Sequence, residues 1–154
     1  MKIRFATFRD KQAVLSLFTQ LGIIINQKLG LKDPKNEHAE IYGAQNYDRV
    51  MHASTTKIFV IEDHHTILGA ASFFILTDMI SGERFAHIDD FIIETSQRKK
   101  GYGKALLTGI LTYAKKHAIH TVKLTSSLPF TDAHKFYEKM GGTFTQKVIK
   151  FDIA

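Results

Sequence analysis

Apolar and polar positions alternate over residues 2–6, which predicts a short first strand. Thr7, Arg9 and Asp10 then supply helix-start chemistry, and Val14, Leu17, Phe18 and Leu21 fall at helical spacing, with Gly22 as a stop and the apolar residues 23–27 extending or restarting the helix. Residues 28–36, with Gly30 and Pro34, read as a loop. Ile41, Tyr42, Tyr47 and Val50 predict a second helix over 37–51, interrupted or weakened at Gly43. Residues 57–62 and 66–76 are rich in β-branched and aromatic side chains, and Asp63-His64-His65 between them predicts a hairpin. Ser81-Gly82-Glu83 turns the chain into residues 85–94, giving three consecutive antiparallel strands. Ala105, Leu106, Ile110, Leu111 and Ala114 mark one helix face ending in Lys115, Lys116 and His117, as suits the negative end of a helix dipole. Residues 121–126 form a fifth strand, free to run parallel to its predecessor because a helix intervenes. A last helix over 129–140 carries Ala133, Phe136, Tyr137 and Met140 on one face and stops at Gly141-Gly142; residues 147–153 close as a strand. The order β, α, α, β, β, β, α, β, α, β is that of an α+β domain with a mixed sheet.

Composition narrows the chemistry. With 154 residues, 44% of them hydrophobic, the chain is expected to be one domain, 1–154, able to bury a core without disulfides or a structural metal. There is no cysteine, so thiol nucleophiles and Cys-ligated zinc are excluded and any acyl transfer goes directly or through another nucleophile. The first residues lack the apolar core of a signal peptide and no apolar run approaches the ~20 residues of a membrane span, so a soluble, cytoplasmic protein with no membrane partner is expected. A net charge of +6 suits nucleic acid, but Lys and Arg are dispersed except at 98–104 and 115–116, and no aromatic-interleaved RNA motif occurs. No nucleic-acid partner is expected; the one basic cluster suits a small anionic ligand.

That cluster lies in the stretch around which the chain is organised. Phe91, Ile92 and Ile93 end an apolar run; Arg98, Lys99, Lys100, Gly101, Tyr102, Gly103 and Lys104 follow; Ala105 opens a helix. Strand, glycine-rich basic turn and helix start make an anion cradle, because glycine lets backbone approach a ligand and the first helical amides point outward. A Walker loop requires Gly-x-x-x-x-Gly-Lys-Ser/Thr, which is absent, and a dinucleotide fingerprint requires glycine where Leu106 stands.

Arg98-x-x-Gly101-x-Gly103 resembles the Gln/Arg-x-x-Gly-x-Gly/Ala pattern of the GNAT N-acetyltransferase superfamily, which binds the pyrophosphate of acetyl-coenzyme A (acetyl-CoA). Ala133-His-Lys-Phe136-Tyr137-Glu-Lys-Met-Gly141 is similar to that family's Ala-x-x-Phe-Tyr-x-x-x-Gly segment. Ile88-Asp89-Asp90-Phe91-Ile92-Ile93 is similar to the Ile-Glu-Asp-Leu-Tyr-Val stretch of its polyamine- and small-amine-acetylating branch. Many members carry Asn or Arg three residues before the alanine; this chain has Phe130. The resemblance implies a GNAT fold, a mixed, mostly antiparallel sheet of six to seven strands flanked by about four helices. It implies acetyl-CoA as cosubstrate, with no metal, held by the loop residues 98–104 and by the backbone of Phe91, Ile92 and Ile93. Tyr137 would protonate the departing thiolate. Asp89 or Asp90 would attract a small cationic amine and accept its proton. Side chains of successive strand residues point to opposite faces, so both aspartates reach one cleft only if a bulge intervenes. A homodimer is a further expectation, since family members are often dimers.

Rival readings carry less. His87-Ile-Asp89 matches half of a facial iron triad, but such oxygenases are usually built on all-β jelly rolls and this chain has four helical patterns. A non-catalytic coenzyme A sensor or partner-binding domain would keep the loop without turnover, and a protein amine remains an alternative acceptor.

Overall fold

The computed structural model describes residues 1–151. The chain divides into two compact units, Met1–Leu124 and a smaller one, Thr125–Ala154. The first holds one five-stranded sheet in the order β1-β2-β3-β4-β5. Its strands are β1 (Lys2–Phe5), β2 (Thr56–Asp63), β3 (Thr66–Thr77), β4 (Arg84–Ile93) and β5 (Thr121–Leu124). β1 to β4 pair antiparallel, while β5 runs parallel to β4 because α4 (Tyr102–Lys116) carries the chain back between them. The hairpin turn between β2 and β3 places His64 and His65 at φ 46° and 62°, the conformation that twists a two-residue turn to match its strands.

β2 is buried on both faces: Ile58 and Val60 pack with Val14, Leu17 and Tyr47, whereas Phe59 meets Phe5, Phe73 and Tyr113 at ring separations of 4.9 to 5.4 Å. One face of the sheet is therefore covered by α1 (Lys11–Leu29) and α3 (Ala44–His52), the other by α4. Polar anchoring on the α1 side centres on Arg4. Arg4 grips Asp10 with two hydrogen bonds of 2.7 and 2.9 Å and Glu62 with a third of 2.7 Å. The guanidinium holds the buried Asp10 carboxyl well below its ordinary value, at about 2.

Two expectations are corrected, and a third is resolved. Gly22 does not stop the first helix, which runs on to Gly30 at φ 64°. Gly22 is buried under the loop that follows: a Cβ there would lie 1.2 Å from the Asn36 carbonyl oxygen. The second helix is interrupted at Gly43, one of the two outcomes expected there, giving α2 (Ala39–Tyr42) and α3; with α5 (Thr131–Lys139) in the second unit, the described residues hold five α-helices. Among the described residues the sheet has five strands, not six to seven. A strand exists only where its backbone joins a ladder, and residues 143–151 join none: Val148, Ile149 and Phe151 are exposed. The rest of the strand expected at 147–153 lies outside the described residues.

Candidate active site

The turn expected between β4 and the next helix forms as its glycines require. Gly101 caps α4 at φ 90°, a left-handed conformation that needs glycine, and Lys99 before it also has a positive φ of 62°. The first intrahelical bond from this end is the Ala105 amide to the Gly101 carbonyl, so the amides of Tyr102, Gly103 and Lys104 have no intrahelical acceptor, and glycine offers no side-chain cap. Lys99, Lys100 and Lys104 are exposed around them, with Lys100 Nζ donating to Gln97 Oε1 at 3.0 Å. These donors and charges fit a pyrophosphate. Two other loop residues turn inward. Arg98 Nε donates to the Ile93 carbonyl at 3.2 Å, and the Tyr102 phenol donates to Asp63 Oδ2 at 2.8 Å, which fastens the loop to β4 and to the β2–β3 hairpin.

β4 leads into this loop, and only the first part of its outer edge is paired with a described strand. β5 pairs with Phe85 to Ile88 and ends at Leu124, so beyond Ile88 no described strand lies on that side of β4. Phe91, Ile92 and Ile93 belong to this stretch, and on the other edge they pair with Ala71, Ala70 and Gly69. An amide-bearing arm laid along that edge would find β-type hydrogen-bonding groups.

The condition for two aspartates on one face is met. Ile88 pairs with Phe73 and Phe91 with Ala71, so Asp89 and Asp90 together oppose the single residue Ser72, a β-bulge in β4. Ser72 shares its face with Ala70, which packs in the α1 core, and with Phe74, which pairs with His87. Asp90 is bonded to Ser72 at 2.9 Å, and Asp89 lies 3.9 Å from His87, so both carboxyls belong to the α1 face. Their environments differ. The Asp89 side chain is 63% exposed, whereas Asp90 is half-buried and its carboxyl is raised, first by burial, against the lowering effect of the Ser72 hydrogen bond and with a further rise from Asp89.

Tyr137 lies on α5, and burial pushes its phenol up to about 12, so it carries its proton at neutral pH. Ser72 was not readable as a site residue; its signal is a lone hydroxyl in the apolar run of β3. Glu37 and Glu40, two further carboxylates of the α1–α2 region, are hydrogen-bonded to α1: Asn26 donates to Glu37 at 3.1 Å and Thr19 to Glu40. An open concavity of about 440 Å³ at the start of α1 is lined by Arg9 and Lys11 as well as Glu40, and its cations disfavour a cationic guest. Among the described residues, no cluster of three or more His, Cys, Asp or Glu side chains surrounds a metal-sized space, and no helix is long and apolar enough to cross a membrane.

Fold and loop together define an α+β protein with a basic, glycine-capped turn at the head of the helix that follows its fourth strand. The chain belongs to the acetyltransferase (GNAT) family, whose model matches residues 26–142. It is 30% identical over 99 residues to a glucosamine 6-phosphate N-acetyltransferase of Trypanosoma brucei brucei, covering 64% of this chain and 65% of that protein, so it spans just under two thirds of that relative's length. Its fold is that of a Bacillus halodurans protein solved as a mutant, with a TM-score of 0.86, 17% identity and 100% of both chains covered. It is also that of an aminoglycoside acetyltransferase from a soil metagenome, solved with sisomicin: TM-score 0.76, 19% identity, 99% of this chain and 95% of the other covered.

Proposed function

We propose that residues 1–154 act as one N-acetyltransferase domain that moves the acetyl group of acetyl-CoA directly to a primary amine on a small cationic molecule. The observation that carries the acceptor class is the β4 bulge, which gives one sheet face two carboxyls, Asp89 and Asp90. Carboxylates concentrate a cationic amine and repel an anionic substrate. Support for a small amine also comes from the relatives, named for acetylation of a sugar amine and of aminoglycosides.

When bound, the cosubstrate supplies an activated thioester. The chain's residues do the rest. The Tyr102, Gly103 and Lys104 amides with Lys99 and Lys100 hold the pyrophosphate, and the Phe91 to Ile93 backbone aligns the arm and steadies charge on the thioester oxygen. Asp90, whose carboxyl is raised by burial, takes the proton of the incoming ammonium, and Asp89 draws the cation in. Tyr137, assigned by its place in the Ala-x-x-Phe-Tyr segment, returns a proton to the departing sulfur. Cysteine is absent, which agrees with direct transfer.

The test is release of coenzyme A thiol from acetyl-CoA in the presence of spermidine, sisomicin, glucosamine 6-phosphate or a lysine peptide. Turnover greatest with the polycations is expected. Turnover greatest with glucosamine 6-phosphate or the peptide contradicts the acceptor class, and no turnover with any amine despite tight acetyl-CoA binding establishes the sensor reading.

A further inference from the structure

The bulge creates a problem that one buried hydroxyl solves. Where two residues face one, a backbone amide loses its place in the ladder. Here the Asp90 N–H donates instead to Ser72 Oγ at 2.9 Å, and the same hydroxyl donates its proton to Asp90 Oδ2, also at 2.9 Å. Ser72 is 6% exposed, so neither bond is shared with bulk water. The hydroxyl spends its one proton on the carboxyl and an oxygen lone pair on the amide, so the orientation of Asp90 is tied to the closure of the bulge. Among the described residues no hydrogen bond engages Oδ1, which leaves that oxygen to receive a proton.

We propose that Ser72 is a positioning residue for acetyl transfer: through Oγ it locks the β4 bulge and holds the Asp90 carboxyl with Oδ1 presented on the α1 face, where the acceptor's ammonium proton is taken. The inference rests on the assignment of Asp90 as the proton acceptor. A serine serves where alanine would not, because alanine leaves the amide unpaired in a dry site and lets the carboxyl rotate. The surroundings supply no substitute. β3 carries no ionisable side chain, α1 carries Lys11 and Lys28 only near its ends, and β5 contributes Lys123 opposite His87. On β4 itself, Asp89 and His87 are the charged or titratable neighbours.

The test compares wild type with Ser72→Ala, Ser72→Thr, Asp90→Asn and the Ser72→Ala, Asp90→Asn double variant. The readouts are the Asp90 carboxyl titration by carbon-13 NMR, acetyl-CoA affinity by calorimetry, and kcat/KM for spermidine against pH. For Ser72→Ala the account expects an Asp90 titration moved to higher pH, unchanged acetyl-CoA affinity, and kcat/KM lowered about 10-fold or more with its acid limb shifted upward. Ser72→Thr, which keeps the hydroxyl, restores both the titration and the rate. In the Asp90→Asn background, Ser72→Ala produces little further loss. If Ser72→Ala leaves the Asp90 titration and the rate profile unchanged while Asp90→Asn is inactive, the positioning role is wrong and the function stands. Full activity of Asp90→Asn overturns both. A Ser72→Ala variant that loses acetyl-CoA affinity as fast as it loses rate assigns Ser72 to folding alone and overturns the proposal; a variant that does not fold hands the decision to Ser72→Thr, whose failure to keep the wild-type titration overturns it as well.

Discussion

The two faces of the sheet are built for different ends. Against α4 the contacts are apolar and aromatic: Phe59, Phe73 and Tyr113 meet edge-on, and Phe73, Leu106 and Ile110 are fully buried. Against α1, by contrast, lie the buried polar Asp10 and Ser72 and the half-buried Asp90, and α1 itself carries the buried Asn26. Buried polar groups add less to stability than packed carbon and fail badly when unpaired, and here each is hydrogen-bonded. The α1 face also packs an apolar cluster around Val14, Ile58 and Val60, but it is the face that mixes packed carbon with buried polar groups. Polar precision, and with it the proposed chemistry, lies on the α1 face.

The largest break in that contrast is Phe73→Ala. It opens a cavity in the α4 face and is expected to cost about 3–5 kcal/mol, lowering the thermal midpoint and taking every activity with it. Asp10→Asn comes next. The folded carboxyl titrates near 2 against an ordinary 3.8, so its contribution is complete above the higher value and is lost as pH falls from about 4 to 2. The substitution should remove about 2 kcal/mol at pH 7 and flatten the acid limb of stability, as urea titrations across pH will register. Asp90→Asn should do the reverse of Phe73→Ala. Because burial raises this carboxyl, its ionised form is a burden on the fold, and the variant should match or exceed wild-type stability while kcat falls about 10²-fold or more. Smallest is Lys11→Ala, which removes an exposed 3.3 Å pair with Asp48 and should change stability by less than about 0.5 kcal/mol. An equal stability loss for Phe73→Ala and Asp90→Asn would erase the contrast between the faces.

Much of this organisation was legible in the chain. The hairpin of β2 and β3, the parallel return of β5, the helices α4 and α5 and the Gly101 turn follow from periodicity and from residues whose local chemistry is self-sufficient. What escaped depends on partners distant in sequence. Gly22 has the position of a stop signal, yet its role is to admit the Asn36 carbonyl, a contact no local rule registers. The shared face of Asp89 and Asp90 depends on a register shift set by β3, and Ser72, which completes it, lies unmarked in an apolar run. The pattern at 147–153 resembles a strand, but alternation predicts only which side would be buried, and a ladder also needs a neighbour.

The central claim, that the loop at the head of α4 receives the pyrophosphate of acetyl-CoA, is tested most directly by calorimetric titration of acetyl-CoA into wild type and a Gly101→Glu, Gly103→Glu variant. The account predicts micromolar binding by the wild type and none by the folded variant, whose carboxylates would occupy the cradle and repel the phosphates. Equal affinity in the two proteins, or no binding by wild type, would contradict it.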